Sequence, residues 1–125
     1  MKQNDAAALD DEHWRVICLC AEWCNVCREW RGAFEQLAAA HPRLRFAWID
    51  VEDEAQAMGD VDIETFPTML VARGDSPRFF GPVQPSAAHL ARLLASLMDG
   101  PAPAQEPAEA SALLKRLAPA WLGKD

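Results

Sequence analysis

The sequence predicts a single α/β domain that carries an added amphipathic helix near its C-terminal end. Three features predict it. An apolar segment typical of a buried strand is followed by a helical pattern that contains cysteines, and a second apolar segment follows that helix. Further along the chain, turn-forming residues join two short apolar segments. A chain of 125 residues is long enough for one buried core but short for two. Half of the residues are hydrophobic and 25% are charged, which is typical of a globular protein.

The first predicted elements alternate strand, helix, strand and helix. Residues 14–20 (WRVICLC) are apolar at nearly every position, which predicts a central strand covered on both faces. After a short turn, apolar residues recur at helical spacing and predict a helix ending near His41-Pro42. These residues are Val26, Trp30, Ala33, Phe34 and Leu37. Residues 44–49 (LRFAWI) predict a second buried strand, and a short helix is expected around residues 52–58.

A hairpin and a further helix are predicted to complete the α/β unit. Apolar residues at 68–72 and 78–80 flank the turn-forming sequence Gly-Asp-Ser-Pro, which predicts two antiparallel strands. Ser86 is then a good N-cap for a helix that stops at Gly100-Pro101.

The C-terminal part of the chain differs in composition from the rest. Residues 100–107 (GPAPAQEP) are rich in proline and alanine and predict a linker. We therefore expect an α/β domain over residues 1–99, this linker, and an amphipathic helix over residues 108–125. Such a helix more often folds back on its own core than it binds a partner, so we favour docking on the body.

Charge and cysteine usage restrict the classes of function. With 12 basic and 19 acidic residues the formal charge is −7, which opposes binding to nucleic acid. The first residues contain no apolar run long enough for a signal peptide or a membrane span, so we expect a cytoplasmic protein with no membrane association. Thiols stay reduced in that compartment, so four closely spaced cysteines indicate catalysis or metal binding. They are Cys18, Cys20, Cys24 and Cys27.

The Cys24/Cys27 pair has the spacing that disulfide exchange requires. A thiolate is the nucleophile in this reaction, and a thiol becomes more reactive at a helix N-terminus, where unpaired backbone N–H groups stabilise its anion. Cys24 occupies that position in the predicted helix. Cys27 lies one turn further on the same face, close enough to attack a mixed disulfide formed on Cys24. Cys-x-x-Cys also occurs in zinc sites, but the preceding strand and the helix that begins inside the motif favour redox chemistry.

Three separated segments carry a resemblance to the thioredoxin family, which extends over roughly residues 14–98. Ala21-Glu22-Trp23-Cys24-Asn25-Val26-Cys27 resembles the family's active-site motif, Phe66-Pro67-Thr68 its cis-proline segment, and Gly81 the glycine that lines its substrate groove. The resemblance implies a thioredoxin-like α/β fold, with a central mixed β-sheet, flanking helices and the extra C-terminal helix. It also implies catalytic residues Cys24 and Cys27 and substrate-binding residues Trp23, Phe66, Pro67 and Gly81.

Two departures from the family pattern affect the expected chemistry. Cys18 stands where thioredoxins have a buried aspartate that assists proton transfer, and Phe46 stands in place of its lysine neighbour. We therefore expect exchange chemistry without this buried charge pair. Cys18 and Cys20 lie two residues apart on a strand, hence on one face, and inert packing is the favoured interpretation of both.

The resemblance implies a monomeric thiol–disulfide oxidoreductase that uses no cofactor and no metal. Its partners would be protein disulfide substrates and an unidentified thiol reductant, so that it passes electrons in cell redox homeostasis. Two alternatives stay open. One is a redox-inactive binding or assembly module built on the same fold, and the other is a metal site formed by the four cysteines.

Overall fold

The computed structural model describes residues 14–100 and 108–122, with side chains up to Leu117 in the last helix. Its elements are β1 (Trp14–Cys20), α1 (Asn25–Ala40), β2 (Arg45–Asp50), α2 (Ala55–Met58), β3 (Thr68–Arg73), β4 (Ser76–Pro82), α3 (Ala87–Asp99) and α4 (Ala108–Leu122). All eight elements were predicted, with boundaries that differ by a few residues. The predicted linker lies outside the described residues except for Gly100, and the division into domain, linker and tail helix stays a prediction.

The four strands form one mixed sheet in the order β2-β1-β3-β4. Strand β1 pairs parallel with β2 and antiparallel with β3, and β3 and β4 form the predicted hairpin. Its turn uses Gly74 at φ +61°, a conformation that favours glycine. The expected central position of β1 and the thioredoxin-like architecture are therefore confirmed.

Strand β1 divides the core into two layers because its side chains alternate between the two faces of the sheet. Val16 and Cys18 pack under α1 and α3 with Trp30 and Phe34. On the other face Ile17 and Leu19 pack in a second cluster, whose other fully buried members include Ile49, Leu70, Leu113 and Leu117. Burial on both faces explains why the β1 sequence is apolar without alternation.

The C-terminal helix α4 docks on the sheet face opposite α1. Leu113 and Leu117 are fully buried there, and the Arg116 side chain donates hydrogen bonds to the carbonyl oxygens of Ala57 (2.6 Å) and Met58 (3.2 Å). The expectation that this helix folds back on the body is confirmed. None of the helices in the described ranges is long and apolar enough to cross a membrane.

Helix α3 begins as the sequence predicts. The Ser86 hydroxyl accepts a hydrogen bond from the backbone N–H of His89 at 3.2 Å, which satisfies one of the free donors of the first turn. The helix ends at Gly100, and its buried residues Leu90 and Leu94 cover the same sheet face as α1.

Candidate functional site

Cys24 lies at the junction between β1 and α1, where the chain turns from strand into helix. Its backbone N–H donates to the Ala21 carbonyl at 3.0 Å, and its own carbonyl accepts from the Arg28 N–H at 3.2 Å. Cys24 is the N-cap of α1, with extended backbone angles and a free, half-buried thiol. Cys24 therefore occupies the N-terminus of the helix, as predicted, and its side chain forms no capping hydrogen bond.

Cys27 is joined by a disulfide to Cys20, whereas the sequence motif predicts a bond to Cys24. Cys20 ends β1 and Cys27 lies in the first turn of α1. The Cα atoms of these two residues are 5.9 Å apart. Both residues are at most 1% exposed. Inert packing therefore does not describe Cys20. The assignment of Cys24 and Cys27 as the catalytic pair stays a prediction.

Cys18 is a buried neutral thiol next to this disulfide. Its Sγ lies 3.6 Å from the Cys20 Sγ, as expected for two cysteines on one strand face. Because the Cys20 sulfur carries no proton in the disulfide, the Cys18 S–H is the donor. Burial raises the pKa of Cys18 to about 12, and the neighbouring Trp30 side chain opposes this rise by a smaller amount.

An exposed apolar surface surrounds Cys24. Trp23 is 61% exposed and Val26 is 41% exposed, and the Trp23 ring meets the Phe66 ring edge-to-face with centroids 5.7 Å apart. Val26 shares the helical spacing of the apolar residues of α1 but is not buried with Trp30, Phe34 and Leu37. Trp23 and Phe66 thus come together beside Cys24, which with Phe66 packs against the apolar cluster that contains Cys27.

The Phe66-Pro67 peptide bond is cis, as the resemblance implies. The Pro67 carbonyl accepts a hydrogen bond from the Val83 N–H at 3.1 Å, which ties the segment to the chain that follows β4. Gly81 lies within β4, opposite Met69 of β3. The substrate-binding roles of Pro67 and Gly81 stay predictions.

Two acidic residues hold the loop before Cys24 in place. An oxygen of Asp50 accepts from the Glu22 N–H at 2.9 Å, and a Glu52 oxygen accepts from the Trp23 indole N–H at 2.8 Å. The other Asp50 oxygen accepts from the Glu52 N–H at 2.8 Å. The sequence motifs give neither residue a role in the site. The signal was available, since Asp50 ends the strand parallel to β1 and the carboxyl ends of parallel strands share one edge.

A cleft of about 290 Å³ opens beside Cys27. Charged side chains of both signs line it, namely Glu22, Arg28, Arg31, Asp50, Asp53 and Glu54. Cys27 contributes to the lining although it is only 1% exposed. Within the ranges that the structure describes, no three or more histidine, cysteine or acidic side chains are arranged to hold a metal ion.

Comparison with known proteins identifies relatives of one kind. The family model described as Thioredoxin matches residues 2–95. A putative thioredoxin 2 from Streptomyces coelicolor is 30% identical over 72 residues, which cover 58% of this chain and 54% of that protein. A putative thioredoxin H10 from Arabidopsis thaliana is 31% identical over 55 residues, covering 44% of this chain and 36% of that protein. This chain thus spans about a third to a half of these relatives' length.

Solved structures share the fold at low sequence identity. A thioredoxin h from poplar superposes with a TM-score of 0.63 and 21% identity, over 80% of this chain and 89% of that one. A thioredoxin from Trypanosoma brucei brucei gives a TM-score of 0.62 and 17% identity, over 80% and 88% of the two chains. At this identity the likeness concerns the fold alone.

Proposed function

Because the chain belongs to the thioredoxin family, we propose that it is a thiol–disulfide oxidoreductase that reduces or exchanges protein disulfides through Cys24 and Cys27. The observation that carries the proposal is the position of Cys24, a free thiol at the N-terminus of α1 inside an exposed apolar surface. Its partner Cys27 lies three residues further on the same helix. The proposed nucleophile, Cys24, is thus partly exposed, whereas the proposed resolving residue, Cys27, is buried.

The proposed reaction proceeds by two exchange steps. The Cys24 thiolate attacks one sulfur of a substrate disulfide, forming a mixed disulfide and releasing the other substrate sulfur as a thiolate. Cys27 then loses its proton and attacks the Cys24 sulfur, which forms the Cys24–Cys27 disulfide and releases the second substrate thiol. The substrate gains two electrons and the enzyme loses two. A thiol reductant restores the dithiol, and no cofactor takes part.

Substrate contact is assigned to the apolar surface around Cys24. Trp23 and Phe66 offer two aromatic rings, and aromatic surface of this kind binds unfolded or extended segments with little loss of side-chain entropy. Pro67 and Gly81 are proposed to line the same groove. Exposed Glu22 and Glu52 flank this surface, so basic segments around a substrate disulfide should bind better than acidic ones.

The proton of Cys27 is proposed to leave through water. Cys18 occupies the position at which the family has a carboxylate, and a thiol whose pKa is raised to about 12 cannot accept this proton near neutral pH. Water in the cleft that Cys27 helps to line would take up this proton. Resolution of the mixed disulfide should therefore be slower than in an enzyme with a buried carboxylate.

The cellular setting is part of the same proposal. A negatively charged protein without a membrane-spanning helix in its described part suits a monomer that acts on protein disulfides in the cytoplasm and takes electrons from a thiol reductant. Such a protein would contribute to cell redox homeostasis and electron transport between thiols.

The proposal is tested by catalysed reduction of a model protein disulfide with dithiothreitol as electron source. Wild type should accelerate the reaction, while Cys24→Ser should fall to the rate of dithiothreitol alone because the nucleophile is missing. Glu29→Gln is the matched control, since Glu29 is exposed in the same helical turn and has no part in the proposed site. If wild type gives no acceleration, the proposed activity is wrong.

A further inference from the structure

We propose that Cys20 is a third redox-active residue, which competes with Cys24 for Cys27 and moves the disulfide of the site from an accessible to a buried position. This inference rests on the proposed function, because it concerns the oxidised form that the proposed reaction produces. Cys27 would thus have two alternative disulfide partners, Cys24 and Cys20. The bond to Cys24 is the catalytic disulfide, and the bond to Cys20 is a buried disulfide that does not take part in catalysis.

The geometry of the junction between β1 and α1 supports this choice of partner. Cys20 and Cys27 are bonded in the structure, although they are seven positions apart in sequence. Their Cα–Cα distance of 5.9 Å falls at the usual separation for a disulfide, so strand and helix need not move to form it. Cys24 stays a free thiol and packs against the same apolar cluster as the two bonded cysteines.

The exchange between the two forms needs no external oxidant or reductant. Starting from the Cys24–Cys27 disulfide, the Cys20 thiol loses its proton and its sulfur attacks the Cys27 sulfur. The Cys20–Cys27 bond forms, the Cys24–Cys27 bond breaks, and Cys24 departs as a thiolate that takes up a proton from solvent. One disulfide and one thiol are present before and after, so the electrons balance. The reverse attack by Cys24 on Cys27 restores the catalytic disulfide.

Cys18 is positioned to assist this exchange but not to replace Cys20. Its S–H points at the Cys20 sulfur across 3.6 Å, so it can stabilise negative charge there when Cys20 is reduced. Its own proton is held tightly because the thiol is buried in the core. Of the two neighbouring sulfurs, that of Cys20 and not that of Cys18 is bonded to Cys27 in the structure.

The buried disulfide has a distinct chemical consequence. An external thiol must reach a sulfur atom to reduce a disulfide, and Cys20 and Cys27 are at most 1% exposed. In this form Cys24 can still attack a substrate, but Cys27 is unavailable to resolve the mixed disulfide. Oxidation would therefore convert a dithiol enzyme into one that holds its substrate covalently, until the other substrate thiol attacks the substrate sulfur of the mixed disulfide, re-forms the substrate disulfide and releases Cys24 as a thiolate. Free Cys24 can then attack Cys27, which restores the catalytic bond and releases Cys20 as a thiol.

Peptide mapping of the oxidised full-length protein tests the inference. After oxidation with diamide, free thiols are blocked with N-ethylmaleimide in acid and the protein is digested. Trypsin cleaves after Arg15 and Arg28, and a glutamate-specific protease cleaves after Glu22, so Cys20 and Cys27 fall on separate peptides. The proposal predicts a cross-linked pair of peptides 16–22 and 23–28 in which Cys24 carries the blocking group.

Two alanine variants identify the sulfur that forms the cross-link. In Cys20→Ala the cross-link should be lost completely, and peptide 23–28 should instead contain the internal Cys24–Cys27 bond with no blocking group. Cys18→Ala is the matched control on the same strand face, and its cross-link should remain. If a variant does not fold, fragmentation of the wild-type cross-linked pair still shows whether Cys18 or Cys20 carries the bond.

The possible results separate this inference from the proposed function. If oxidised wild type contains only the internal Cys24–Cys27 bond, the Cys20 inference is wrong and the proposed catalytic pair stands. A cross-link through Cys18 also overturns it. If neither bond forms while the protein stays folded, the inference and the proposed dithiol chemistry both fail.

Discussion

The buried Cys18 thiol should make the folded protein sensitive to alkaline pH. Burial raises the pKa of this thiol from its ordinary value of 9.0 to about 12. The unfolded chain therefore releases the Cys18 proton near pH 9, while the folded chain retains it up to about pH 12. Deprotonation stabilises only the unfolded state in this window, so the free energy of unfolding decreases as pH rises from 9 to 12.

The size of the effect follows from proton linkage. One pH unit inside the window corresponds to about 1.4 kcal/mol for a single group that is protonated when folded and ionised when unfolded. Between about pH 8 and pH 10 only the upper unit counts, because the unfolded thiol is still protonated below pH 9. Cys18 alone should then lower the free energy of unfolding by about 1.4 kcal/mol between these two conditions.

Urea unfolding followed by tryptophan fluorescence measures this difference. Cys18→Ala removes the thiol, so its loss of stability between pH 8 and pH 10 should be smaller than that of wild type by about 1.4 kcal/mol. Val16→Ala is the control, because Val16 is fully buried on the same face of β1 and its truncation lowers stability without changing a titrating group. Equal pH dependence in wild type and Cys18→Ala would refute the reasoning.

Three further predictions concern the thiols and the C-terminal helix. Iodoacetamide should alkylate reduced Cys24 before Cys27, since Cys24 is half-buried and Cys27 is 1% exposed; faster labelling of Cys27 would reverse their assigned roles. In urea titrations, Leu113→Ala should lower the free energy of unfolding by roughly 2–5 kcal/mol because Leu113 is fully buried. The control Lys115→Ala should lower it by less than about 0.5 kcal/mol because Lys115 is exposed. Equal effects of the two substitutions would show that α4 is not part of the core. Cys18→Asp should raise disulfide reduction at pH 7 by about tenfold or more because it supplies a proton acceptor, while costing roughly 1–3 kcal/mol of stability; no gain in a folded variant would exclude this relay.

The fold was predictable because its strong local signals agree with its tertiary structure. The two-sided apolar sequence of β1 predicts a central strand, and the Ser86 hydroxyl forms the expected N-cap. Docking of α4 followed from its apolar face. Val26 has the helical spacing of the buried residues of α1 but is exposed, since periodicity assigns a residue to a face of a helix but does not show whether another element covers that face at the first turn.

The candidate site was predictable only in part. The motif places Cys24 at the start of α1, and the resemblance implies the cis bond before Pro67. The pairing of Cys20 with Cys27 depends on the distance between the end of a strand and the first turn of a helix, which sequence spacing does not specify. Asp50 differs, because it ends the strand parallel to β1, and this arrangement brings it near Glu22 although the two residues are 28 positions apart in sequence.

Trapping of a mixed disulfide on Cys24 tests the central claim most directly. In Cys27→Ser the resolving thiol is absent, so incubation with a model disulfide protein should accumulate a covalent complex that intact-mass measurement detects and reductant releases. Peptide mapping should locate the bond at Cys24, and the double variant Cys24→Ser, Cys27→Ser should form no complex. A Cys27→Ser protein that stays folded and forms no complex, or a double variant that still forms one, would contradict the assignment of Cys24 as the nucleophile.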